Sequence, residues 1–199
     1  AVVRVVTERR RPGLTPFNLK EALNGECPSC GGPIARDPQF VAWRCQNIQC
    51  PAQNVRRLEY FAARNALDIE RIGGIVAERL VESGLVHEPL DLFDVSSDEL
   101  AQLNLGTERE PRTFGAKNAA KVMAALERAK TLPLERWLQA LGIPTVGAAT
   151  AAALATGHET LAEIAESELL KRIRDLAEVR EKRQEVSPWS RSNPPANED

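Results

Sequence analysis

From residue 54 onward the apolar positions recur at helical spacing. Val55, Leu58 and Phe61 share one face of a first helix. Ile75, Val76, Leu80 and Val81 line a second, which Gly84 stops. Ser96 and Glu99 form a capping-box pattern ahead of Leu100 and Leu103. The run AKNAAKVMAALERAK predicts a longer helix over 116–130. Helices are also expected over 133–141, 147–155 and 159–166, the last announced by Thr156 and Glu159 in a second capping-box pattern. Residues 167–186 read as helical and highly charged. The whole predicts an array of short helices joined by tight turns. The front of the chain breaks this rhythm. AVVRVVTERR reads as a β-strand interrupted by Arg4. Residues 8–26, with Pro12, Gly13, Pro16 and Gly25, read as a connector, and 27–53 hold too few apolar residues to build a core.

The expected fold is therefore mainly α, with a short β segment at the N-terminus. Four units follow: 1–26, 27–53, 54–186 and a tail, 187–199. That tail, polar and proline-rich, is expected to be disordered. One strand has no sheet of its own, so the chain reads as a fragment cut at both ends.

Composition narrows this picture. Of 199 residues 43% are hydrophobic but only 5% aromatic, which favours small helical units packed through Ala, Leu, Ile and Val. No apolar run approaches the ~18–20 residues that span a bilayer, and no secretory leader pattern opens the chain; a cytoplasmic setting without membrane contact is expected. The net charge of −2 hides an asymmetry: residues 1–66 carry ten Lys/Arg against five Asp/Glu, the rest 16 against 23. The front thus has the balance of a surface facing a polyanion, or simply of a solvated face. Any nucleic-acid contact in the acidic rear must be local.

All four cysteines fall in one stretch, CPSCGGPIARDPQFVAWRCQNIQCPAQ. Cys27, Cys30, Cys45 and Cys50 give the spacing C-x2-C-x14-C-x4-C. Two spaced pairs of thiolates can close a tetrahedral zinc shell. Gly31, Gly32 and Pro33 let the chain bend after the first pair, and Val41 and Trp43 supply a strand-like arm into the second. Two disulfides, or four buried free thiols, are the alternatives; a reducing cytosol disfavours the first. With four ligand positions filled and the two histidines, His87 and His158, far off in sequence, a bound zinc would be structural and would replace a missing core.

Three later stretches look alike: LDIERIGGIVAERLVESG, RTFGAKNAAKVMAALE and LGIPTVGAATAAALA. Each places an apolar residue before a glycine (Ile72-Gly73, Phe114-Gly115, Val146-Gly147) and an alanine four residues after it (Ala77, Ala119, Ala151). This is the pattern of a repeated helix-hairpin-helix. The glycine permits a tight turn. The free N–H groups of the following helix can then bind a phosphate without reading base sequence. Arg71, Gly73, Gly74, Gly115, Lys117, Asn118 and Gly147 are the candidate DNA contacts. Arg71 marks the first hairpin, Arg112 and Lys117 the second, while the third has no basic residue. Plain glycine-capped helix turns are the bland alternative.

A four-cysteine segment followed by tandem helix-hairpin-helix units resembles the bacterial NAD-dependent DNA ligases. CPSCGGPI, RCQNIQCPAQ, LDIERIGG, FGAKNAAKV and LGIPTVG stand in that family's order, over roughly residues 1–170. The resemblance implies an opening strand from the end of an OB-fold, zinc ligation by the cysteines, and grip on the backbone of nicked duplex DNA. It also implies a parent enzyme of replication and repair that uses NAD and Mg2+ at sites elsewhere. In that family AMP passes from NAD to a lysine, then to the 5′-phosphate at the nick, and leaves as the 3′-hydroxyl attacks. The adenylated lysine lies in a K-x-D-G motif. None of Lys20, Lys117, Lys121, Lys130, Lys171 or Lys182 begins that motif, so no catalytic or NAD-binding residue carries over. The implied partners are DNA and the remaining ligase domains, with the chain a monomer.

This sequence departs from the family's Gly-x-Gly at Arg71 and Thr113. It carries what looks like an insertion, GTEREPR, over 106–112, and lacks a glycine where a fourth hairpin is expected after Ile173. A stand-alone DNA-binding module of a repair or recombination factor, or a helical protein-interaction array, is the competing reading.

Overall fold

A computed structural model of the chain describes residues 13, 15, 17–36 and 42–185. The expected opening strand, Val41 of the strand-like arm and the expected disordered tail lie outside them. A short helix, α1 (Leu19–Ala22), stands within the stretch read as a connector. Asn18 caps it, its side-chain oxygen accepting from the amides of Lys20 and Glu21. Four residues are too few for periodicity to reveal. Two strands follow, β1 (Ile34–Arg36) and β2 (Trp43–Cys45), paired antiparallel with Ile34 opposite Cys45 and Arg36 opposite Trp43.

The rest is helical: α2 (Pro51–Ala62), α3 (Gly74–Glu82), a 3-10 turn (Pro89–Phe93), α4 (Ser97–Gln102), α5 (Ala116–Ala129), α6 (Leu134–Ala140), α7 (Ala148–Thr156), α8 (Leu161–Glu166) and α9 (Glu168–Glu185). The helices pack in pairs, α2 with α3, α4 with α5 and α6 with α7. Ala77, Ala119 and Ala151, one in the second helix of each pair, are buried at 0, 0 and 1% exposure.

The core joins the first two pairs. Leu58, Phe61, Leu67, Ile69, Leu80, Val86, Leu92, Leu100, Val122 and Leu126 form one buried cluster. Three aromatics meet at its edge. Phe93 stacks on Trp137 with centroids 5.7 Å apart, and Phe61 meets both edge-on. Trp137 also donates its indole N–H to the carbonyl of Ala129. The third pair is anchored through that ring and through Arg136, whose guanidinium donates to the carbonyls of Ala66 and Arg64. Beyond it burial falls away: α7 buries only Ala151, and α8 buries nothing.

Two expectations change. Ile75 is 56% exposed and is not part of the buried stripe of its helix, which runs through Val76, Ala77 and Leu80. The helix starts at Gly74, so Ile75 lies in its first turn, where it lines an open cavity. At the start of α8 the cap is Thr160, whose hydroxyl accepts from the Glu163 amide, while the Thr156 hydroxyl donates back to Ala152 inside α7. The Ser96–Glu99 box forms as expected. There the Ser96 hydroxyl and amide hold the Glu99 carboxyl below its ordinary range. Asp91 is held low in the same way by the amides of Glu88 and His87.

Ala119→Leu should overpack the α4–α5 crossing and cost about 1–3 kcal/mol in urea unfolding; Ala120→Leu, exposed on the same helix, should stay within about 0.5 kcal/mol. Because the folded pKa of Glu99 is depressed, its contribution is present above the ordinary glutamate value and lost as pH falls through the folded one. Glu99→Gln should therefore flatten the acid side of the thermal-stability profile.

Candidate metal centre and nucleic-acid interface

The four cysteines converge. Their sulfurs all lie within 4.8 Å of one another, with Cys27 and Cys50 buried and Cys30 and Cys45 half-buried. The closest sulfurs come from opposite pairs: Cys27 to Cys50 at 3.9 Å and Cys30 to Cys45 at 3.5 Å. A disulfide needs about 2.05 Å. A tetrahedron of sulfurs each about 2.3 Å from a zinc ion has edges of about 3.8 Å, so the cluster has the donor set and the size for one tetrahedral ion.

Local turns aim the sulfurs. The amide of Gly32 donates to Cys30 Sγ and that of Asn47 to Cys45 Sγ, each at 3.4 Å. Gly32 is required by space: a Cβ there would lie 3.0 Å from Asn47 Cβ and 3.3 Å from Cys30 Sγ. In the metal-free cluster the thiols differ. The Gly32 amide, with Asn47, draws Cys30 down to about 7, whereas desolvation pushes Cys45 up to about 12. A divalent ion overrides this by taking all four as thiolates.

The centre is built into the helices. Cys50 is the N-cap residue of α2. Gln53 Nε2 donates to the Cys45 carbonyl at 2.9 Å, and Arg57 Nη1 to the Ile48 carbonyl at 3.0 Å.

The three glycine turns divide into two kinds. The first and third match residue for residue. Asp68 (φ 54°) corresponds to Gly142 (φ 62°), Arg71 (φ 76°) to Thr145 (φ 67°), and Gly73 to Gly147 as the N-cap of its helix. Arg71 and Thr145 hold a left-handed conformation that non-glycine residues seldom adopt. The second turn is different. Thr113 pairs with Asn104 in an isolated antiparallel bridge, the Phe114 amide donates to the Leu103 carbonyl, and Gly115 itself takes φ 86°.

None of the three following helices has a side-chain cap, whereas α1, α4 and α8 do. Their first internal bonds run from Ala77 to Gly73, from both Asn118 and Ala119 to Gly115, and from Ala151 to Gly147, and the Gly115 amide itself donates to the Ala101 carbonyl. The amides ahead of these lie outside the helical ladder.

Gly73, Gly74, Gly147 and Lys117 are exposed, and Gly115 is half-buried. The Asn118 side-chain amide donates to the Phe114 carbonyl at 2.7 Å and so braces the second turn. Ile72 and Phe114 are buried plugs; Val146 is only half-buried. Arg112, expected at the second turn, is brought to the first as well. With Arg71 it lines a cavity of about 660 Å³ at the first. The sequence could not show this, because the approach of the 105–112 loop to α3 is a long-range contact. After Ile173, α9 continues as helix to Glu185 with no hairpin among the described residues. No described helix is long and apolar enough to cross a membrane.

Residues 26–52 match the family model of the NAD-dependent DNA ligase C4 zinc finger domain. The chain is 48% identical over 193 residues to a DNA ligase of Akkermansia muciniphila, covering 97% of this chain and 24% of that protein. A DNA ligase 1 of Deinococcus deserti is 36% identical over 88% of the chain, and a DNA ligase of Methylococcus capsulatus 40% over 85%. The chain spans about a quarter of the length of these curated relatives.

Elemental analysis of reduced protein should find one divalent metal ion per chain, with four-sulfur coordination by X-ray absorption. Cys45→Ser should weaken metal retention against a chelator, with the far-UV helix signal largely kept. Two disulfides and no metal would contradict the assignment.

Proposed function

On the premise that this chain is a homologue of bacterial DNA ligases and carries the zinc segment of the NAD-dependent ones, we propose that it is the DNA-gripping part of such an enzyme. The observation that carries this reading is the set of three helices starting at glycine with no side-chain cap. Each presents backbone N–H groups where an anion can approach, with the positive end of the helix dipole behind them. Two of the three share one turn geometry residue for residue. Such groups recognise phosphate and leave base edges unread, as suits an enzyme that seals nicks in any sequence.

In this reading the ion held by Cys27, Cys30, Cys45 and Cys50 is one structural zinc. It folds a segment that has little apolar surface of its own and sets the direction in which α2 leaves it. Gly73, Gly74 and Gly147 offer backbone donors, Gly115, whose amide is held by the Ala101 carbonyl, shapes the second turn so that the amides after it face outward, Arg71 and Lys117 add charge, and Asn118 braces that turn. Units over 27–53 and 54–186 supply the metal joint and the helix-hairpin-helix array, and a strand in 1–26 belongs to an OB-fold. The partner is nicked duplex DNA, bound by a monomer in the bacterial cytoplasm at the nucleoid. NAD and Mg2+ act in the adenylating centre of the parent ligase. No lysine here begins a K-x-D-G motif, so the chain alone forms no AMP–lysine bond.

The test is fluorescence anisotropy of the metal-loaded chain on a nicked duplex at two salt concentrations. Binding should fall steeply with salt, and incubation with labelled NAD should transfer no AMP to the protein. Uptake of AMP would sink the assignment. Folded, metal-loaded protein that ignores DNA at low salt would favour a helical protein-interaction array.

A further inference from the structure

The loop between α4 and α5 is a built element. The Asn104 side-chain oxygen accepts from the amides of both Gly106 and Arg112 at 2.9 Å, pinning the two ends of the loop to one atom. The Leu105 amide donates to the Arg112 carbonyl at 2.7 Å, and that of Thr107 to the Glu110 carbonyl. The turn is so tight that a Cβ on Gly106 would fall 2.1 Å from the Glu110 carbonyl oxygen. The loop is also fastened to the first helix pair: Arg79 of α3 donates through Nη2 to the Gly106 carbonyl at 3.2 Å, while Nη1 pairs with Glu82 at 2.6 Å.

This docking brings Arg112 to the first turn. Arg71, Gly73, Gly74, Ile75, Leu105 and Arg112 line one open cavity of about 660 Å³. The guanidiniums of Arg71 and Arg112 make no ion pair or hydrogen bond among the described residues, in contrast to Arg56, Arg57, Arg79 and Arg136. Two carboxylates are near. Glu59, beside Gly74, is paired with Arg56 at 2.5 Å, and Glu70 stands on the cavity's lining. Ile75 is more than half exposed in the same cavity, next to half-buried Leu105. Unpaired cations beside an exposed apolar surface match a sugar–phosphate strand, which alternates anionic oxygens with apolar sugar faces.

We propose that the 105–112 loop and the first glycine turn form a single composite site for one DNA backbone segment. Arg112 and Arg71 hold its phosphates together, and Ile75 and Leu105 pack against the sugar between. Arg112 thereby acts with the first turn, leaving the second to Lys117. This rests on the DNA-gripping role proposed above.

A double-mutant cycle on the metal-loaded chain tests it, read by anisotropy on a nicked duplex. Arg71→Ala and Arg112→Ala should each weaken binding several-fold and lower the salt slope by about 0.9. Combined, they should weaken it by less than the product of the two, since residues on one ligand segment couple. Arg112→Ala with Lys117→Ala should multiply independently, and Arg109→Ala, exposed in the same loop but off the cavity, should change little. The composite site is overturned if Arg112→Ala is silent while the unmodified chain binds. It is also overturned if Arg112 couples to Lys117 instead of Arg71, or if Arg109→Ala matches Arg112→Ala. Failure of the unmodified chain to bind at low salt is a different outcome, removing the DNA-gripping role itself. Circular dichroism and metal content confirm that each variant is folded.

Discussion

Everything in the helical array depends on two helices meeting where there is almost no side chain. Ala77, Ala119 and Ala151, one in the second helix of each pair, are buried. Each also donates its amide to the carbonyl of the glycine that starts its helix, at 2.9–3.1 Å. One residue therefore closes the first helical turn and fills the contact with the partner helix. A larger side chain would push the partner outward and disturb the turn that exposes the amides. Crossing, turn and uncapped helix start are three views of one constraint, which is why glycine and alanine keep a spacing of four in every copy.

That spacing was legible because it is local, as were the cysteine pairs and the mainly helical class. What could not be read was either short, non-local or carried by residues without the usual signal. Arg71 and Thr145 take φ values that their side chains disfavour, so nothing in their identity announces the turn geometry they share. The different form of the second turn comes from Thr113 pairing with Asn104 across the intervening loop. Ile75 fits the apolar periodicity yet is exposed on the cavity at the first turn, while Val76, Ala77 and Leu80 carry the buried stripe of its helix. Of two threonines near the start of α8, sequence spacing favoured Thr156, but that residue still belongs to α7.

The metal centre and the helices are less separate than their composition implies. Cys50 is at once a candidate ligand and the residue from which α2 departs. Gln53 and Arg57, both in α2, reach back to carbonyls of the second cysteine turn. A metal ion at this point would do more than replace a small core: it would fix the start of the helix that carries Leu58 and Phe61 into the main one.

Arg136 gives the array a history as well as a shape. Its bonds to the carbonyls of Ala66 and Arg64 span 70 and 72 residues of sequence, whereas each helix pair is made from neighbours in the chain. Closing a flexible loop of that length costs about 4 kcal/mol by the logarithmic rule. The cost falls once the intervening pairs have formed and shortened the path. The order of assembly follows: pairs first, then the return of α6 onto the end of α2 as the step that registers the third pair against the first. That return is expected to be made jointly, by the Arg136 guanidinium reaching two carbonyls and the Trp137 ring reaching Phe61.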